Sequence, residues 1–125
     1  MTERGTAGGL DLEVLRRAQE EHDLELMVDL YAEDAVLRRI DRNSPPSSPT
    51  ELRGKERIAE YWRDIFGRGM THRVENVVAG EDHVAFNVAC EYADGTKVLA
   101  AENLEVQDGK IVREVSVQAW DEEGS

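Results

Sequence analysis

The sequence predicts an α+β domain in which the helices come first and an antiparallel sheet follows. Up to Phe66 apolar residues recur about every 3.6 positions, as in helices, and after Gly67 the period changes to about 2, as in strands. Asp94-Gly95 and Asp108-Gly109 then separate the last three strands, and Asp-Gly is a strong hairpin signal. This order is typical of helices packed on one face of a curved, mostly antiparallel sheet.

Three helices are predicted in the first half of the chain. The first covers Leu10 to Glu21, and the second begins after Asp23, whose side chain can accept the free backbone N–H groups of the first turn. The third covers Lys55 to Phe66 and ends at Gly67. Their apolar stripes comprise, in order, Leu12, Leu15 and Ala18; Leu24, Met27, Val28 and Tyr31; and Ile58, Tyr61, Trp62, Ile65 and Phe66.

Five strands are predicted, one before and four after the third helix. A loop at Asn43 to Thr50 contains the three prolines of the chain, which fix φ and lack a backbone donor. The predicted strands are Ala35 to Arg42, Thr71 to Ala79, His83 to Ala93, Thr96 to Gln107 and Lys110 to Trp120.

The length of 125 residues and the mass of 14.1 kDa predict a single domain. We expect this domain to cover residues 10–122, after a flexible, glycine-rich tail at residues 1–9 and before a short tail at residues 123–125. The sequence contains no apolar run of the roughly 18 to 20 residues that a membrane-spanning helix needs, and its start does not have the pattern of a signal peptide. A cytoplasmic location is therefore expected.

Charge and cysteine content exclude several functional classes. The 15 basic and 27 acidic residues give a net charge of −12, which repels phosphate backbones and anionic lipids, so we expect neither a nucleic-acid nor a membrane partner. One cysteine and three isolated histidines do not form a zinc pattern, and the sequence has no glycine-rich phosphate loop. We therefore expect no metal and no cofactor.

Glu102 is the most informative candidate site residue. The strand Thr96 to Gln107 places it in the middle of a face that is otherwise apolar. Burial there disfavours the ionised carboxylate and raises its pKa, as a general acid or base at neutral pH requires. The structural alternative is that Glu102 pairs with a cation or reaches solvent at the end of the sheet.

Three further residues are candidates for chemistry. Arg39 shares a strand face with Leu37 and Asp41, so it can pair with Glu102 or hold a substrate carboxylate or enolate if that face lines a pocket. On the outer face it would be a solvated charge instead. Asp41 is a candidate catalytic carboxylate. His72 is a candidate general base, although a histidine on an apolar strand face is more often part of the core.

Three sequence segments carry a resemblance to a known family. They are residues 23–36, with Tyr31-Ala32-Glu33-Asp34-Ala35 at the turn from helix to strand; Leu52 to Ile58 followed by Tyr61-Trp62; and Asp108 to Ile111. Together they resemble the SnoaL-like branch of the nuclear-transport-factor-2-like superfamily. The resemblance implies a cone-shaped α+β barrel, in which a bent sheet wraps around the helices and opens to an apolar pocket. It also implies a hydrophobic small-molecule ligand and a homodimer formed through the outer face of the sheet.

The resemblance suggests residues for the pocket wall. It places Phe86 and Val88 on that wall, where ordinary core packing would look the same. Trp62 and Trp120 are aromatic candidates for ligand contact or for the core, and Tyr31 has a hydroxyl that needs a partner when buried.

The family's ketosteroid isomerases offer a specific mechanism that this sequence does not match. Glu102 falls where those enzymes carry a protonated acid that stabilises an oxyanion. Their catalytic base would fall near Arg39, which cannot act as a base at neutral pH, and their tyrosine donor would fall at Leu15. We therefore expect that the standard ketosteroid isomerase mechanism does not operate here.

Two functions remain open from the sequence. One is cofactor-independent acid–base catalysis, such as isomerisation, cyclisation or hydration of a hydrophobic oxygenated substrate, with Glu102 and Arg39 at its centre. The other is a ligand-binding or dimerisation module in which Arg39 and Glu102 form a buried salt bridge.

Overall fold

The structure, a computed structural model that describes residues 5–122, consists of a six-stranded sheet, three helices and a small N-terminal hairpin. In chain order the elements are β1 (Thr6–Ala7), β2 (Leu10–Asp11), α1 (Leu12–Glu20), α2 (Leu24–Asp29), β3 (Tyr31–Ile40), β4 (Thr50–Arg53), α3 (Lys55–Phe66), β5 (Thr71–Ala79), β6 (His83–Glu91), β7 (Lys97–Gln107) and β8 (Lys110–Trp120). The predicted α+β class with a mostly antiparallel sheet is confirmed.

The sheet order places the chain's last two strands at its centre. The strands run β4-β3-β8-β7-β6-β5, and every pair is antiparallel except β3 with β8. Across the β7–β8 pair, Glu102 lies opposite Ser116, and across the β3–β8 pair Leu37 lies opposite Glu114. Polar residues of β7 and β8 can therefore meet on the inner face of the sheet.

The inner face of the sheet carries the core. In β7 the residues Val98, Ala100, Glu102, Leu104 and Val106 are at most 6% exposed, which confirms the predicted alternation. The neighbouring strand β6 turns its even-numbered residues inward in the same way. The helices cover this face with buried residues that include Leu15, Met27, Ile58 and Trp62. Glu102 therefore lies under the helices with only apolar neighbours along its own strand.

Helix boundaries follow the predicted local signals. The Asp23 side chain accepts a hydrogen bond from Leu26 N at 3.1 Å, as expected of an N-cap. The helix α3 has the predicted bounds and ends at Gly67. Tyr31 differs from the prediction: α2 ends two residues earlier, and Tyr31 begins β3. The reason is tertiary, since Ile111 N of β8 donates to Leu30 O and pulls the chain into the sheet.

Two short segments of strand were not predicted. Thr50–Arg53 forms the edge strand β4 by pairing with β3, although four residues are too few to show a period in the sequence. Residues 5–9, expected to belong to a flexible tail, instead include β1 and a turn at Gly8 and Gly9, both with positive φ. Gly8 N donates to Glu81 O, and Gly109 N donates to Gly8 O, each at 2.7 Å. The remainder of the two predicted tails, residues 1–4 and 123–125, lies outside the described residues.

A bulge in β5 changes which residues face inward. Asn76 has a φ of 56°, and the register of β5 with β6 shifts between Glu75 and Val78. His72 and Val74 lie inward, whereas Val78, which strict alternation along the strand would place on the same face, is 68% exposed. Of the helices described here, none has the length and apolar character needed to cross a membrane.

Candidate functional site

Two glutamates are buried side by side beneath the helices. Glu102 of β7 is 6% exposed and Glu114 of β8 is 3% exposed. The two carboxyl groups are close enough that the negative charge of Glu114 raises the pKa of Glu102. Neither glutamate has a Lys, Arg or His within 4 Å among the residues described. The pair is thus a carboxyl dyad without a counter-ion.

Neighbouring side chains assign different roles to the two carboxyls. Tyr31 donates a hydrogen bond to Glu114 Oε1, and Trp62 Nε1 donates to the Tyr31 hydroxyl at 3.1 Å. Ser116 donates to Glu102 Oε2 at 2.8 Å, while Glu102 Oε1 is buried and has no donor among the described groups. Glu114 is therefore built as an acceptor, and Glu102 Oε1 is the carboxyl oxygen that is left without a partner.

The pKa values agree with this assignment in direction. Burial raises the pKa of Glu102 well above its usual range, and the charge of Glu114 raises it further. Burial also raises the pKa of Glu114, but the neighbouring Glu102 carboxyl and the hydrogen bond from Tyr31 act in the opposite direction. Of the two carboxyls, Glu102 is therefore the one whose protonated form the site favours, and Glu114 the one whose ionised form its neighbours stabilise.

Glu102 faces a small cavity between α3 and the sheet. The cavity has a volume of about 40 Å³, and its lining includes Trp62, His72, Val88, Glu102 and Trp120. That volume suits one polar group of a ligand and is far below the roughly 300 to 1,000 Å³ of a site that encloses a drug-sized molecule. A larger open depression of about 730 Å³ over the ends of β5 to β8 does not include Glu102.

A wider vestibule adjoins this cavity at the open end of the fold. It has a volume of about 260 Å³ and shares Tyr61, Ile65, Arg68, Gln118 and Trp120 with the inner cavity. Arg39 of β3 and the residues Asp41, Arg42 and Asn43 of the loop after β3 form its other walls. A ligand can therefore place one polar group next to Glu102 while its apolar body stays in the vestibule.

Arg39 and Asp41 lie in the vestibule, away from the carboxyl dyad. Arg39 Nε is 3.0 Å from Asp41 Oδ2, and the guanidinium carbon lies 5.6 Å from the ring centre of Tyr61. Arg39 thus turns to the pocket side of β3, one of the two orientations that the sequence left open. The predicted salt bridge between Arg39 and Glu102 is not formed, because Asp41 on the same strand face is the nearer partner of Arg39.

His72 lines the inner cavity and contacts a second histidine. Its Nδ1 lies 2.7 Å from His22 Nε2, and the His22 ring stacks on Phe66 at 4.9 Å between centres. Burial lowers the pKa of His72 to about 4, and the charge of His22 contributes in the same direction. Both imidazoles are therefore neutral at neutral pH, and one ring nitrogen of each belongs to their mutual hydrogen bond.

The predicted wall residues divide between pocket and core. Trp62, Val88 and Trp120 line the inner cavity. Phe86 is 4% exposed and belongs to the core, while Tyr31 supports the dyad from behind. Cys90 lines the cavity as a thiol whose pKa burial raises to about 11, so it is not a reactive thiolate.

Sequence reasoning missed Glu114, Ser116 and Gln118. All three lie on one face of β8, and Gln118 Nε2 donates to the Tyr61 hydroxyl at 3.3 Å. Their alternation with exposed residues along Lys110–Trp120 was a usable signal. The bulge opposite Glu105 and Val106 obscures it, because it shifts the register within β8 and places Ile111 on the same face.

The fold and the site allow the chain to be placed among known proteins. The profile of the SnoaL-like domain family matches residues 13–114. The chain belongs to this family. The membership confirms the resemblance found in the sequence, whose residues lie mostly within that range. No protein of curated function matches the chain.

Several solved structures share this SnoaL-like fold. The chain is similar to an NTF2-like protein of unknown function from Mesorhizobium loti, with 26% identity, a TM-score of 0.73, and coverage of 86% of this chain and 89% of the other. It is similar to a "putative ketosteroid isomerase" from Kribbella flavida, with 19% identity, a TM-score of 0.71, and coverage of 91% and 77%. A third neighbour is wild-type IdmH, a "putative polyketide cyclase" from Streptomyces antibioticus, with 23% identity, a TM-score of 0.64, and coverage of 86% and 88%. At these identities the last two likenesses show the fold alone.

Proposed function

We propose that this SnoaL-like protein is a cofactor-independent acid–base catalyst for a small, apolar, oxygenated substrate. The carboxyl of Glu102 donates a hydrogen bond to a substrate carbonyl oxygen and stabilises the enolate or alkoxide that forms there. Isomerisation, cyclisation and hydration all develop negative charge on such an oxygen. The single observation that carries the proposal is the buried, donor-free Oε1 of Glu102 at the wall of the cavity.

The carboxyl dyad keeps Glu102 in the form that this role requires. A carboxyl can donate a hydrogen bond only while protonated, and the ionised Glu114 beside it makes a second negative charge costly. Tyr31 holds Glu114 by donating to its carboxylate, and Trp62, which also lines the cavity, donates to the Tyr31 hydroxyl. Glu114 thus acts as a positioning residue for the proton of Glu102.

His72, which also lines the cavity, supplies a base. In the tautomer in which Nδ1 donates to His22, the Nε2 lone pair of His72 is free to take a proton from a carbon next to the substrate carbonyl. The proton then resides on His72 and the charge on the substrate oxygen faces Glu102. The low pKa of His72, about 4, makes it a weak base, so stabilisation of the oxyanion contributes most of the expected acceleration.

Deuterium exchange at the α-carbon of an aromatic ketone tests the proposal. We expect the wild-type protein to accelerate exchange into tetralone in D₂O, as followed by NMR, and Glu102→Gln to reduce that acceleration by about 10²- to 10³-fold, as loss of an oxyanion donor does. The wild-type acceleration should decline at alkaline pH, as Glu102 loses its proton. The residual rate of the Glu102→Gln variant should show no such decline, because an amide does not titrate in this range.

A glutamate on the opposite face of the same strand provides the control. Glu105 is only half-buried and lies 3.9 Å from Arg113, so Glu105→Gln changes the same functional group outside the pocket. Exchange in this variant should match the wild type. A wild-type rate equal to that of buffer, or equal rates for Glu102→Gln and wild type, would reject catalysis by Glu102.

We also propose that the protein forms a homodimer through the outer face of the sheet. Leu99 and Val117 on that face are 51% and 44% exposed, and Ala101 and Ala119 lie beside them on the same two strands. Large exposed apolar residues on a central part of a sheet are typical of an interaction surface. Sedimentation should give twice the chain mass at micromolar concentration, and Leu99→Glu should give one chain mass. A wild-type protein that sediments as one chain would contradict the proposal.

A further inference from the structure

The vestibule contains a buried hydrogen-bond donor without an acceptor. Within residues 5–122, three buried side-chain polar atoms lack a hydrogen-bond partner, and all three belong to this site. One is the Glu102 oxygen described above, and another is Arg39 Nε, which lies 3.0 Å from Asp41 Oδ2 but is not directed at it as a hydrogen bond requires. The third is the donor Trp120 Nε1, which has no acceptor. Buried donors are normally satisfied, so the orphaned N–H group of Trp120 indicates that an acceptor belongs in the vestibule.

The same vestibule contains a cation without an acidic partner. Arg42 lies with its guanidinium carbon 4.3 Å from the ring centre of Trp120, and no Asp or Glu of the described residues lies within 4 Å of its charge. The other two arginines of the vestibule differ, since Arg39 pairs with Asp41 and Arg68 pairs with Asp64 at 2.6 Å. Stacking on Trp120 holds the Arg42 guanidinium flat and leaves its N–H edge free.

The vestibule differs from the chain as a whole in its balance of charged residues. The protein carries 27 acidic and 15 basic residues, yet three arginines and one acidic side chain line the vestibule. A locally positive entrance in a negatively charged protein attracts anions to that point and repels them elsewhere. An arginine fork also matches the two oxygens of a carboxylate.

We propose that the ligand of this pocket is an anion, an aromatic or similarly apolar molecule whose carboxylate binds Arg42, Arg39 and Trp120 at the mouth. This proposal rests on the proposed function, because the oxygen at the other end of the same molecule binds Glu102. The apolar body of the ligand then lies in the vestibule between Tyr61 and Trp120. Its carboxylate contacts the arginines at the mouth, and its other oxygen contacts Glu102.

Binding of three naphthalene ligands tests the proposal. The probes are a hydroxynaphthoate with its substituents on opposite rings, the corresponding neutral hydroxynaphthamide, and naphthol, which lacks the second substituent. Calorimetry near neutral pH should give a hydroxynaphthoate affinity at least about tenfold above that of the amide, equivalent to about one charge-assisted hydrogen bond. Added salt should weaken binding of the carboxylate and leave binding of the amide unchanged.

Variants of Arg42 identify the group responsible. Arg42→Gln should abolish the difference between carboxylate and amide, and Arg42→Lys should restore part of it, because lysine keeps the charge and loses the planar fork. Arg57→Gln is the matched control, since Arg57 is exposed on α3, away from the vestibule, and its loss changes the net charge equally. It should bind all three ligands as the wild type does.

The outcomes separate this inference from the proposed function. Equal affinities for carboxylate and amide, or a preference that persists in Arg42→Gln, would overturn the anion site. Naphthol binding that responds to pH in wild type but not in Glu102→Gln would still support the role of Glu102 in that case. If the wild type binds none of the three ligands, both the anion site and the pocket function are rejected.

Discussion

The two buried pairs of titratable residues, Glu102 with Glu114 and His22 with His72, respond to the same burial in opposite ways. Burial disfavours charge, so it raises the pKa values of the glutamates and lowers those of the histidines. The histidines become neutral by losing protons, and Glu102 becomes neutral by keeping one. Of the four, Glu114 is the one whose charged form is stabilised by its neighbours Glu102 and Tyr31. Burial thus shifts the pKa values of these side chains in the direction that favours their neutral forms.

The largest expected effect is on the alkaline side of the stability profile. The unfolded Glu102 ionises near its usual pKa, whereas the folded one keeps its proton to a higher pH, so the folded state binds more protons between those values. Stability contributed by Glu102 is complete below the unfolded pKa and is lost as pH rises towards the folded one. The loss amounts to as much as about 1.4 kcal/mol per pH unit in that window.

Glu102→Gln removes this loss. Urea unfolding from about pH 5 to 8 should show the variant gaining stability relative to wild type as the pH rises. Glu105→Gln on the outer face should run parallel to wild type across the same range. Parallel curves for Glu102→Gln and wild type would mean that Glu102 titrates normally, which would remove the basis of the comparison.

The histidine pair should produce the opposite slope on the acidic side. His72 is neutral when folded down to about pH 4, whereas the unfolded residue takes up a proton near pH 6.5, so the unfolded state binds more protons in between. Stability contributed by His72 is present above pH 6.5 and is lost as the pH falls towards 4, by as much as about 3 kcal/mol.

His72→Gln tests this contribution. As the pH falls from about 7 to 4.5, the wild type should lose unfolding free energy relative to the His72→Gln variant. His83→Gln is a suitable control, because His83 is exposed and pairs with Asp82 on the surface. If the unfolding free energies of the His72 variant and of wild type change with pH in the same way, the histidine pair is hydrated in solution.

The support behind the dyad should have a smaller effect. Tyr31→Phe removes the donor to Glu114 and leaves Trp62 Nε1 without its acceptor, so we expect a loss of about 1.5 to 3 kcal/mol, as for hydrogen bonds to a charged group. Tyr92→Phe is the matched control, since the Tyr92 hydroxyl accepts a bond from the exposed Arg68. Chemical denaturation at neutral pH measures both, and equal losses would show that Glu114 is not held by Tyr31.

The smallest effect expected is that of Ser116→Ala. Ser116 donates to Glu102 Oε2 and thereby lowers the pKa of Glu102, against the stronger effect of burial. Its removal should cost about 1 kcal/mol near pH 5 and extend the alkaline loss of stability to a higher pH. The midpoint of that loss is the quantity to compare with wild type. A midpoint that moves to lower pH would contradict the assignment of Ser116 as donor to the carboxyl.

Most secondary structure could be predicted because its signals are local. The Asp23 cap, the stripe of Lys55–Phe66 and the turn at Asp108-Gly109 act within a few residues, and each lies where the sequence indicated. The elements that the sequence did not indicate, β4 and the N-terminal hairpin, depend on partners distant in the chain. The family could also be recognised, because its sequence segments lie at these same local turns.

The sequence by itself determined the helices, the main strands and the inward position of Glu102, because a period of 2 or 3.6 fixes which side of an element is apolar. Only the tertiary structure decided which polar groups meet. Pairing of β7 with β8 brings Glu114 next to Glu102. The local strand geometry places Arg39 and Asp41 on the same face, where they form an ion pair. Folding of the loop after β3 places Arg42 over Trp120. Most of these contacts join residues from separate parts of the chain, and the pKa values of the dyad depend on burial that exists only when the sheet and helices have closed over it.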